Sequence, residues 1–386
     1  MSGESFFSRI LSAIGLKTSY ESKRETAYNL LDYKHLIPAS VKSKCGYVSE
    51  FGEWIIEPKY EDCGLFADNG LAPVEIDGKW GYIDKSGSYV IEPKFDWAAF
   101  FGKNGLAVVS MNGKRGWMDS KCNFVIEPKY DDLQDCENGY AVVTLLDEDG
   151  SMRYGIVDDK GKTIIEPMFC GELYGFAKNG LAAIQIDDKY GYIDTDGKMV
   201  IEPQFHDFES FGDNGLAIVD NDGMYGLIDK TGKFVVEPKY DLAFNCPNGM
   251  VTVFVDGKYG CIDISGKTIV EPKYDDFTGF NANGIAAFCM NKKWGVLDDS
   301  GNIITDPIYD FERVDLRNNG WFSVRKNNKF GLMDSNGKLL FKPKYDNVFI
   351  FDKDVLFAEK KKWGIVDRNG DFVAEPQFDW LVYNWL

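Results

Sequence analysis

Residues 77–96 read DGKWGYIDKSGSYVIEPKFD, and residues 256–275 read DGKYGCIDISGKTIVEPKYD. A third stretch, DDKYGYIDTDGKMVIEPQFH at 187–206, keeps the same order: a turn, an aromatic-Gly pair, an apolar run ending in Asp, a Gly turn and Glu-Pro. Ten of the 13 prolines fall in this phase, from Pro58 and Pro93 through Pro343 and Pro376, at spacings of 33 to 39 residues. A period of this size marks units that cannot enclose a core alone and must share one with their neighbours. From Gly46 onward about ten units follow one another without a linker.

Each unit reads as three short strands. The first, such as 106–111, begins after an Asn-Gly and ends at a second turn such as Asp77-Gly78 or Asp256-Gly257. Both dipeptides tolerate the positive φ angles of tight hairpins. The second strand starts at the aromatic-Gly pair (Trp80-Gly81, Tyr190-Gly191, Trp294-Gly295, Trp363-Gly364) and runs to an Asp, and a further Gly turn launches the third toward Glu-Pro. Proline withholds a backbone donor, so the ladder is expected to stop there or become an edge. A strand glycine marks close approach to bare backbone. The expectation is that a neighbouring ring covers it and that the preceding aromatic is buried between units. Three strands per 35 residues fall short of a four-stranded propeller blade of about 40 to 45 residues. The expected fold is therefore all-β, with three-stranded repeats stacked in an open curved solenoid or superhelix.

The tandem K-W-G or K-Y-G, then Y-I-D, a Gly turn and V-I-E-P-K-Y-D, resembles the WG (KWG) repeat family of bacterial β-repeat proteins, over residues 43–386. The resemblance implies a repeat fold and an interaction scaffold. Departures are local: Arg115 takes the aromatic position in unit three, Cys122 a turn glycine, Phe330 the aromatic in unit nine, and Asp306 and Lys342 the glutamate before proline.

Residues 1–42 read differently. Phe6, Phe7, Ile10, Leu11 and Ile14 share one helical face. A second helical stretch holds Tyr28, Leu30 and Leu31. The expected role is a short α-helical cap on the open edge of the first unit. A docking helix for a partner or a membrane surface is the other reading, supported by Arg9, Lys17, Lys23 and Arg24.

The chain's 386 residues carry 43 Lys plus Arg against 61 Asp plus Glu, a formal net charge of −18. Such a surplus repels phosphate backbones, which argues against nucleic-acid binding and for a protein partner with a basic surface. Eight scattered cysteines without a C-x-x-C pair suggest free thiols, and the start of the chain lacks a signal-peptide pattern, so a cytoplasmic location is expected. Only His35 and His206 are present, and no phosphate-binding loop, H-E-x-x-H or G-x-S-x-G occurs. Catalysis, cofactors and metals are not expected. Recurrent pairs such as Asp131-Asp132 and Asp275-Asp276 read as an exposed acidic ridge. The variable stretch after Tyr/Phe-Asp offers recognition residues, foremost Trp97 and Phe100, because an aromatic at the Phe66, Phe101, Phe176, Phe211 and Phe280 position recurs as core. The leading function is thus a non-enzymatic scaffold docking or neutralising a basic protein through Trp97, Phe100, Asp131, Asp132, Asp275 and Asp276. A glycan- or cell-wall-binding module is the alternative, since exposed rings stack on sugars or quaternary ammonium.

Overall fold

The computed structural model describes residues 36–136, 138–310, 321–352 and 355–381. The expected helical face at Phe6, Phe7, Ile10, Leu11 and Ile14 lies outside these residues. Among the described residues there is no helix, and 38 strands form ten antiparallel sheets.

Each full sheet has four strands rather than the expected three. In blade 3 these are Trp97–Ala98, Leu106–Met111, Lys114–Asp119 and Phe124–Tyr130. The additional one is the two-residue first strand, which follows the Tyr/Phe-Asp without a turn of its own. Pattern reading had placed it in the variable loop, because two residues are too few to show a period of two. Blade 5 reduces this strand to a single bridge, Leu173 to Ile184.

The array closes on itself. In blade 1 the strand Ile37–Val41 pairs with Lys44–Val48 on one side and with Trp380–Leu381 on the other, through Ala39↔Leu381 and Ser40↔Trp380. Asp379 N–H donates to Ser40 O at 2.9 Å, and Lys42 N–H donates to an Asp379 carboxylate oxygen at 2.8 Å. The fold is therefore a ten-bladed β-propeller, and the expected open solenoid is corrected. Closure depends on pairing between residues more than three hundred positions apart, which no local pattern specifies. Blade 1 also begins at Ile37, inside the segment that the sequence reading had set apart as 1–42.

The core lies between blades. Tyr82, Ile91 and Phe95 of blade 2 pack with Ala98, Phe101, Val109 and Met118 of blade 3. The closing seam is built alike, with Ile37, Ala39, Val48 and Leu381 against Phe357, Ile365, Ala374 and Phe378. Contrary to expectation, the aromatic before the strand glycine is only half-buried in most units, as at Tyr190, Tyr225, Trp294 and Trp363, although Trp80 is buried. The residue after the glycine faces the inter-blade core instead: Tyr47, Tyr82, Trp117, Ile156, Tyr192, Leu227 and Cys261 are at most 1 % exposed. Alternation across a strand puts those two positions on one face of the sheet and the glycine on the other, and the C-terminal neighbour is the one tucked beneath the next blade.

What crowds the glycine is backbone more than a ring. A Cβ on Gly81 would lie 2.5 Å from Ile91 O and 2.8 Å from Pro93 N. The cause is a bulge: Trp80 pairs with Phe95 and Tyr82 with Ile91, so Glu92, Pro93 and Lys94 bow out opposite the glycine. Proline, which has no N–H to pair, suits this interruption, and the strand resumes after it as the sheet edge. Gly295 and Gly364 add a ring contact, from Phe288 and Phe372.

Candidate functional site

Antiparallel order gives the ring two faces. The second-to-third-strand turns and the crossings into the next blade share one, called here the turn face; the long loops and third-to-fourth-strand turns share the other. In the tight turns Asp77 and Gly78 have φ of 51° and 68°, as the Asp-Gly reading required.

On the turn face most crossings carry an acidic residue that ties successive blades together. Asp275 accepts Lys258 Nζ at 2.5 Å from the blade behind and Asn291 N–H at 2.7 Å from the blade ahead. Asp131 does the same with Lys114 at 2.6 Å and Leu146 N–H at 2.9 Å. The pattern repeats at Asp96 with Lys79, Asp310 with Lys293, Asp346 with Lys329 and Asp379 with Lys362. Two of the sequence-predicted site residues are thus clamp residues between blades. Asp132 pairs with Arg115 and accepts the Leu133 N–H, while Asp276 accepts the Phe277 N–H at 2.8 Å.

The neighbouring ammonium holds the Asp275, Asp131, Asp96, Asp310 and Asp379 carboxyls below the usual carboxylate range. A pKa depressed by folding contributes stability above the unfolded value, about 4, and that contribution is lost as pH falls through the folded one. The urea midpoint is therefore expected to hold between about pH 7 and pH 5 and to fall below about pH 4. The double variant Lys114→Gln, Lys258→Gln should flatten that acid limb; an unchanged limb would remove the clamps from the account.

The clamp departs from its pattern at three consecutive junctions. Arg153 faces Cys170, Lys189 faces His206, and Met224 stands where the lysine opposite Asp241 would be. Asp207 and Asp220 are direct cross-strand partners, an unfavourable like-charge placement eased by the Tyr225 hydroxyl, which donates to Asp207 at 2.6 Å. Asp241 accepts the Asp256 N–H at 3.1 Å. At the first two junctions the cation stays and the carboxylate is lost; only at Asp241 is the lysine the missing partner, and Asp207, Asp220 and Asp222 of blade 6 lie on the same turn face. Sequence reading missed this junction because the signal is the absent lysine at 224, not any added acid.

Trp97 lies toward the turn face, half-buried, with the Arg115 guanidinium 5.7 Å from its ring centre. Phe100 is 38 % exposed and lies toward the opposite face, so these two anchors are not brought together. On that opposite face the loops of blades 4 to 6 border a cleft of about 390 Å³ that includes Gln134, Asp135, Tyr174, Lys178 and Asp213. Lys178 and Asp213 pair across it at 2.7 Å.

Of the cysteines expected free, Cys45 and Cys63 are instead joined between blades 1 and 2, their Cα atoms 6.2 Å apart. Among the described residues no group of three His, Cys, Asp or Glu is placed to hold a metal, and no helix is long and apolar enough to cross a membrane.

A family described as "WG containing repeat" matches ten consecutive segments, from 46–80 and 80–114 through 330–362 and 363–385. No curated protein matches the chain significantly. Among solved structures, one titled "Crystal structure of the eukaryotic initiation factor" is 13 % identical, with a TM-score of 0.54 over 80 % of this chain and 95 % of that one. That likeness concerns the fold alone. Hsv2p of Kluyveromyces lactis is 12 % identical, with a TM-score of 0.31 over 71 % of this chain and 89 % of that one.

Proposed function

The chain belongs to the WG-repeat family, and we propose that it is a non-enzymatic docking ring for a protein with a basic surface, bound on the turn face over blades 5 to 7. A propeller of repeat blades suits a binding module, because rigid strands hold many turns in one plane. The observation that supports the basic partner is the broken clamp: Met224 takes the repeat position of the lysine that would pair with Asp241, and Asp207 lies opposite Asp220. A lysine or arginine side chain from a partner would supply the cation that the Asp241 junction lacks, and the net charge of −18 would steer its approach.

Binding of the full chain to a lysine-rich peptide, measured by calorimetry, is expected to weaken more than tenfold between about 50 and about 500 mM salt. The variant Asp207→Asn, Asp220→Asn, Asp241→Asn should weaken it further at low salt, whereas Asp68→Asn on the opposite face should not. Equal affinity for a glutamate-rich peptide, or indifference to the triple variant, would refute the proposal. The glycan reading rests on half-exposed Tyr174 beside Gln134 and Asp135 in the opposite cleft, and predicts salt-insensitive oligosaccharide binding lost in Tyr174→Ala.

A further inference from the structure

Blade 7 carries sulfur at three repeat positions that hold other residues in most blades. Cys246 takes the position of Ala67, Gly102, Ala177, Gly212 and Asn281; Cys261 takes that of Tyr47, Tyr82 and Tyr192; Met250 takes that of Leu71, Leu106, Leu181 and Leu216. The fold brings the three together. Cys246 and Cys261 are 7 % and 0 % exposed and share one core cluster against which Met250 packs, and Cys261 Sγ lies 3.9 Å from Met250 Sδ. Cys246 Sγ also lies 3.2 Å from Thr252 Oγ1, and Phe280 of blade 8 belongs to the same core cluster. Cys246 and Met250 flank the turn at Pro247, Asn248 and Gly249, so the cluster sits beneath a surface turn rather than deep in a blade.

We propose that Cys246, Cys261 and Met250 form a binding site for a soft monovalent metal ion of the copper(I) class. Two thiolates and a thioether in a dry pocket are the donor set that selects such an ion over zinc, magnesium or calcium. On binding, the two thiols lose their protons to solvent and each sulfur donates an electron pair, so no oxidant or reductant is consumed. The hydroxyl of Thr252 is placed to orient the ligating Cys246 sulfur, the supporting role that outer partners play at metal sites. The three substitutions coincide in one blade, whereas Cys289 and Cys136 lack this company, which is why the site is assigned here.

The test is copper(I) titration of the full chain under reducing, oxygen-free conditions against a chromophoric copper(I) chelator. One equivalent is expected to be withheld from the chelator and to be lost in both Cys246→Ser and Cys261→Ser. Met250→Leu should weaken retention about tenfold, and Cys289→Ser should leave it unchanged. Because a serine in the core can unfold blade 7, a second readout uses the unaltered chain: its melting temperature should rise with one equivalent of copper(I) and not with zinc(II). No retained copper, retention that persists in both serine variants, or a Cys246–Cys261 disulfide that survives excess reductant would each overturn the assignment.

Discussion

Replacing Leu381 by Ala is expected to lower the stability of the whole ring by about 2 to 5 kcal/mol, the usual cost of emptying a buried leucine site. Leu381 is 5 % exposed, packs with Ile37, Ala39, Phe357 and Phe378, and belongs to the two-residue strand that joins the chain's end to blade 1. Leu133 occupies the same slot in blade 4, is 1 % exposed and lies far from the seam. Leu133→Ala should cost a similar amount without changing the state of association. Leu381→Ala should in addition favour multimers at raised concentration, because a parted seam uncovers the edge of Ile37–Val41, and an uncapped strand recruits another. Urea unfolding with sedimentation velocity separates the two effects. A Leu381 variant with unaltered midpoint and monomeric sedimentation would mean that this strand does not hold the ring shut.

How much of this was legible in advance follows from the range over which each feature is determined. The unit, its glycine turns and its bulge are local: Asp84 ends a strand and its carboxylate accepts the N–H groups of Ser86 and Ser88, so the Asp-x-x-Gly turn could be read directly from spacing. The two-residue strand Trp97–Ala98 was hidden because it has no period, and the count of strands, and with it the fold, turned on that strand. Closure was hidden because Ala39 and Leu381 meet only once nine seams have each contributed their rotation. At the candidate site, Asp131, Asp132, Asp275 and Asp276 were found as recurrent pairs, but recurrence meant a job done at most junctions, and for Asp131 and Asp275 that job is clamping lysines. The residues that distinguish one sector, Met224, Cys170 and His206, are departures from the repeat. They carry information only after the structure shows which partner each has lost.

Gly81→Ala should be among the costliest single-methyl additions in the molecule. An added Cβ would fall 2.5 Å from the Ile91 carbonyl oxygen and 2.8 Å from the Pro93 nitrogen, both main-chain atoms of the bulged edge strand. A flexible side chain could swing aside, but here the bulge itself must move. That strand also carries Ile91 and Phe95, which are 5 % and 0 % exposed in the shared core of blades 2 and 3. The clash therefore propagates into two blades at once, and the expected loss is about 3 kcal/mol, the upper part of the usual overpacking range. Gly78, in the adjoining hairpin, has open space around its added Cβ and a φ of +68°. Gly78→Ala should therefore cost only about 1 kcal/mol, through backbone strain alone. Denaturant unfolding of the two variants side by side tests the argument. If Gly78→Ala proves the more damaging, the glycine of the aromatic-Gly pair serves chain conformation, and close approach of the bulge is not the reason for it.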